Sequence, residues 1–100
     1  MTPQQARMEQ QAGSLLIDMR ESEEWNQEHA AGAVHLSKGM LEVKIEEKVP
    51  DPGTRLILYC GGGNRSALAA ENLQRMGYTE IASMAGGFKA WKDQGLETQS

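Results

Sequence analysis

The chain has 100 residues, 39% hydrophobic and 24% charged, the proportions of one soluble globular domain. Its net charge of −4 argues against nucleic acid or an anionic membrane surface as a partner. The longest aliphatic runs, at 15–17 and 56–59, are far too short to span a membrane, and residues 1–13 carry no apolar leader.

"TPQQARMEQQAG" (2–13) predicts a helix. Thr2 caps it, Pro3 suits its first turn, Gln5 completes a capping box and Gly13 ends it. "SLLIDM" (14–19) is a short apolar run of strand length. "ESEEWNQEHAAG" (21–32) reads as a short acidic helix anchored by Trp25, and "AVHLS" (33–37) as a second strand. "GMLEVKIEEKVPDPG" (39–53) spaces Leu41, Ile45 and Lys48 helically until Pro50 and Pro52 stop it. "TRLILYC" (54–60) is the richest strand. "RSALAAENLQRMGY" (65–78) places Ala69, Leu73 and Met76 on one helical face, with Gly77 as C-cap. "EIASMAGG" (80–87) is a fourth strand, and "GFKAWKDQG" (87–95) a last helix. Strands alternating with helices imply an α/β domain over 1–100, with a parallel sheet covered by helices on both faces. Ligands of such folds bind beyond the carboxyl ends of the strands, and Cys60 stands at one of those ends.

Cys60 is the only cysteine, so no internal disulfide forms, and a reducing compartment such as the cytoplasm is expected. Gly61, Gly62 and Gly63 follow it, then Asn64, Arg65, Ser66 and a helix. Glycines let the backbone curl with several N–H groups pointing inward, and the positive end of the helix adds to that anion cradle. Arg65 brings permanent charge and planar donors, and Ser66 a hydroxyl. The nearest anion is the Cys60 thiolate itself. Such surroundings lower a thiol's pKa from about 8.5 toward roughly 4–7 and make it nucleophilic. A cysteine ending a buried strand is also an ordinary small apolar residue; the spacing to Arg65 and the helix favours the reactive reading.

Four segments in order resemble the rhodanese family of sulfurtransferases. They are "LLIDMRESEEW", "HAAGAVHL", "CGGGNRS" and "GGFKAWKDQGL". The resemblance implies a rhodanese-like three-layer α/β/α fold with a central parallel sheet of four to five strands. Since the chain starts at the helix that usually follows the family's first edge strand, four main strands are expected. It also implies a persulfide mechanism without a cofactor. Cys60 would take sulfur from a small sulfur-containing anion such as thiosulfate, or from a protein donor, and pass it to cyanide, a thiol or a protein. Gly61, Gly62, Gly63, Asn64, Arg65 and Ser66 would bind the substrate, and the protein would be a monomer or weak homodimer. Many members carry a basic residue directly after the cysteine, where this chain has Gly61.

Two further readings remain. One is a non-catalytic persulfide carrier. The other is a cysteine-loop phosphatase or arsenate reductase, but those families resemble Cys-x5-Arg and this loop holds four residues between Cys60 and Arg65. Asp18 and Arg20 are expected to be structural, as an ion pair or in helix capping. Trp25, Phe88 and Trp91 read as packing. His29 and His35, with one cysteine in the chain, make no expected metal site.

Overall fold

The computed structural model describes the backbone of residues 1–100 and every side chain but that of Lys38. Helix α1 (Pro3–Gln11) opens on the expected capping box. Gln5 N–H donates to Thr2 Oγ1 at 3.1 Å, and Thr2 N–H to Gln5 Oε1 at 2.9 Å. Strand β1 (Leu15–Asp18), helix α2 (Ser22–Gln27), β2 (His29–Ala30), β3 (Val34–His35) and α3 (Lys38–Lys48) follow. The second half contributes β4 (Leu56–Tyr59), α4 (Asn64–Arg75), β5 (Ile81–Ser83), α5 (Gly87–Asp93) and β6 (Thr98–Gln99).

Four strands form the parallel sheet, in the order β3-β1-β4-β5. β4 lies in its middle and is buried on both faces, hence its unbroken apolar run. The strand period sorts its side chains. Leu56 and Leu58 point to one face, where they pack with Leu41 and Ile45 of α3 and Ala69 and Leu73 of α4. Ile57 and Tyr59 point to the other, against Ala6 of α1 and Phe88 and Trp91 of α5. Helices therefore cover both faces, and the three-layer α/β/α architecture is as expected.

The structure departs from the sequence reading in several places. The helix at 21–32 stops at Gln27, because Glu28 turns to an extended conformation (φ −170°) and the chain enters β2. β2 pairs antiparallel with β6 in a two-residue ribbon that sequence pattern did not foresee. The helix read within 39–53 stops at Lys48, before Pro50, as expected. Met76 caps α4 instead of joining its buried face, and is 36% exposed. With Glu46, Pro50, Pro52 and Tyr78 it lines a cavity of about 330 Å³. Among the described residues no helix is long and apolar enough to cross a membrane.

One polar network sits inside these layers. Asp18, fully buried, receives Arg20 Nε at 3.1 Å and Nη2 at 2.8 Å, and Arg20 N–H at 2.8 Å. Tyr59 Oη also donates to Asp18, and accepts from Ala30 N–H at 3.1 Å. Arg20 Nη2 reaches Glu28 O at 2.6 Å. Burial alone would lower the Arg20 pKa, and its bonds to Asp18 more than offset that. Burial and the nearby carboxylate push the Tyr59 phenol well above its ordinary range, so it stays a donor. The network ties β1 to β4 and β2, the layer from which Cys60 emerges. Truncating one member of a buried pair strands the other. Arg20→Ala should therefore cost about 3–5 kcal/mol in urea unfolding, and Tyr59→Phe about 1–3 kcal/mol. Equal, sub-kilocalorie losses would show that the network contributes little.

Candidate active site

β4 ends one residue before Cys60, and α4 begins four residues after it. The turn between them requires φ +103° at Gly63, the N-cap of α4, a conformation that favours glycine. A glycine N-cap has no side chain to accept from the helix's first N–H groups, and the Cys60 sulfur fills that role. Gly63 N–H donates to Sγ at 3.0 Å, and the Ser66 and Arg65 amides favour its charged form. Ser66 Oγ, fully buried, lies 3.7 Å from Sγ. Burial pushes the thiol up. The Ser66 backbone and hydroxyl, followed by the Gly63 and Arg65 amides, outweigh burial and hold it below its ordinary value.

The thiol lies deeper than the sequence suggests. Cys60 is 1% exposed and packs with Ile17, Leu58 and Ala69 beneath the loop. Gly62 has open space above it. An ideal Cβ on Gly61 would sit 3.8 Å from Arg65 Nη2, so the guanidinium lies beside the bare backbone of Gly61. Asn64 is exposed in the first turn of α4. The structure thus brings Gly63 and Ser66 onto the sulfur and sets the Arg65 guanidinium beside Gly61. Asp18 and Arg20 do not join it. They bond each other, Tyr59 and the Glu28 carbonyl, as the expected ion pair.

A second wall of the site comes from 80–90. Phe88 N–H donates to Cys60 O at 2.8 Å, and Lys89 N–H to Gly61 O at 3.3 Å. A Cβ at Gly87 would sit 2.3 Å from Cys60 O and 2.6 Å from Gly61 O, so only glycine fits there. The Phe88 ring stacks on Tyr59 at 6.0 Å and lies 4.1 Å from the Arg20 guanidinium. Ser83 Oγ is 2.7 Å from Ser66 Oγ. Gly87 and Ser83 were not foreseen as site residues. The adjacent glycines before a helix were the available signal for the first, and no local signal marks the second. Phe88 and Trp91 are buried as expected, while Trp25 stacks with His29 at 3.5 Å and His35 at 5.0 Å.

This arrangement, a sulfur ringed by amide donors at a strand-to-helix turn, can stabilise a thiolate or an anion attached to it. The sequence matches the rhodanese-like domain family over residues 2–94. It is 38% identical over 73 residues to thiosulfate sulfurtransferase PspE of Escherichia coli K12, spanning 73% of this chain and 69% of that protein. A solved structure from Rhodopseudomonas palustris CGA009, described as a possible tyrosine phosphatase, is 33% identical, with a TM-score of 0.81 over 94% of this chain and 77% of that one. The rhodanese-like domain of the Alr3790 protein from Anabaena superposes with a TM-score of 0.88 over the whole chain and 77% of its own; at 20% identity it speaks to the fold alone. On the extent of the family match and the identity to PspE, the chain belongs to the rhodanese-like domain family.

Proposed function

We propose that this protein is a sulfurtransferase that carries sulfane sulfur as a persulfide on Cys60. The observation that carries the reading is the Gly63 N–H at 3.0 Å from Sγ, with the Ser66 and Arg65 amides beside it, at the start of α4. With thiosulfate as donor, the Cys60 thiolate attacks the outer sulfur. A new S–S bond forms, the donor's S–S bond breaks, and sulfite leaves with the bonding pair. The product is Cys60–S–S⁻, with its charge on the outer sulfur. Cyanide or a thiolate then attacks that atom, and the pair of the breaking S–S bond returns to Cys60. The loop amides serve both anions in turn and need no reorganisation between them. The Arg65 guanidinium beside Gly61 supplies charge at the mouth, where a dianionic donor arrives.

The phosphatase reading has one relative in its favour, the Rhodopseudomonas protein. The four-residue interval between Cys60 and Arg65 favours sulfur over a tetrahedral phosphate. Incubation with thiosulfate should add the mass of one sulfur atom to the intact chain, and cyanide should remove it as thiocyanate. Cys60→Ser should abolish uptake. Uptake without turnover would make the protein a carrier; Cys60-dependent hydrolysis of an aryl phosphate, without sulfur uptake, would overturn the proposal.

Alkylation of Cys60 by iodoacetamide should rise through a midpoint below the ordinary thiol value of about 8.5. The sign carries over to stability. A depressed thiol contributes fully above about pH 8.5, and its contribution is lost as pH falls through the folded value. Gly87→Ala should push the loop off its carbonyl contacts and lower kcat/KM for sulfur transfer about 10²-fold, since displacement near 1 Å has that effect. Arg65→Ala should cost about 3 kcal/mol of transition-state stabilisation, the scale of a lost anion donor, read from the same assay.

A further inference from the structure

We infer that Ser83 is a positioning residue for the Cys60 thiolate, acting through the hydroxyl of Ser66. The inference rests on the reading of Cys60 as the nucleophile. It is carried by two hydroxyl groups on different elements and by the proton count between them.

The β4–β5 register sets Ser83 beside Leu58, whose side chain faces α4. Ser66 lies in the first turn of α4, on the side that meets the sheet. Their Oγ atoms are 2.7 Å apart. Ser66 Oγ has three neighbours in all: Ser83 Oγ, Gly63 O at 3.1 Å and Cys60 Sγ at 3.7 Å. A hydroxyl has one proton to give and two lone pairs to receive. Gly63 O only accepts. With a neutral thiol, Ser66 donates to Gly63 O, S–H points at Ser66, and Ser83 must be the donor to Ser66. With a thiolate, sulfur only accepts. Ser66 then swings its single proton from Gly63 O to sulfur, and Ser83 must again be the donor. Ser83 is thus the fixed donor in both states, and Ser66 the hydroxyl that switches. A hydroxyl that accepts a hydrogen bond is a better donor in turn. Ser83 thereby strengthens the bond that Ser66 makes to the anion, and holds Ser66 in place while its proton moves. The charge never reaches Ser83, so its effect should be smaller than that of the amides.

The test is the pH profile of Cys60 alkylation by iodoacetamide in the wild type and four variants, with circular dichroism to establish folding. Ser83→Ala should raise the midpoint by about half a unit, about threefold less thiolate at a pH below it. Ser83→Thr keeps the hydroxyl and should restore the original midpoint, a rescue that a packing role would not give. In a Ser66→Ala background, Ser83→Ala should add no further shift. An unshifted midpoint in folded Ser83→Ala would overturn the inference. So would a Ser83→Thr protein that titrates like Ser83→Ala, or additive shifts in the double variant. Failure of the functional reading looks different. Wild-type protein would then take up no sulfur from thiosulfate, while the midpoints would still move as described.

Discussion

Helix α4 starts on a glycine with no side chain, and its first N–H groups have to find an acceptor elsewhere. The N–H of its N-cap, Gly63, finds the Cys60 sulfur. That single substitution of a thiol for a capping hydroxyl links fold and chemistry here. The helix needs an electron-rich partner at its N-terminus, and the sulfur is a better partner as an anion. Whatever stabilises the start of α4 therefore stabilises the thiolate. No histidine contacts the sulfur among the described residues.

The cap works only if the loop is held against the sheet, and two sets of contacts hold it. From the far end of the chain, the first turn of α5 brings the Phe88 and Lys89 N–H groups onto the carbonyls of Cys60 and Gly61, at a distance that Gly87 alone permits. From below, Tyr59, the residue before Cys60, is anchored by its bond to Asp18, which pairs with Arg20. Phe88 joins the two supports, stacking on Tyr59 and lying against Arg20. Isolated surface pairs such as Lys89–Asp93 add little to this.

The parts legible in the sequence were those written locally. The capping box of α1, the buried run of β4 and the glycine loop each depend on residues a few positions apart, and each is found as read. The Asp18–Arg20 pair was readable because its partners are two residues apart. Met76 was misplaced because a helical period was continued one residue past the end of α4. The ribbon of β2 and β6 escaped because two-residue strands carry no period, and their partners lie about 70 positions apart. Ser83 escaped for a related reason. A serine in a short strand gains its significance only when the β4–β5 register sets it opposite the first turn of α4.

The distance along the chain between Cys60 and Gly87 has a consequence for the protein's synthesis. A ribosome releases the cysteine well before the segment that seats its loop, and a short loop with the first turn of a helix does not hold its shape unaided. The loop gains its contacts to Phe88 and Lys89 only when α5 docks. A copy in which α5 has not docked lacks the Phe88 and Lys89 contacts that hold the loop around Cys60.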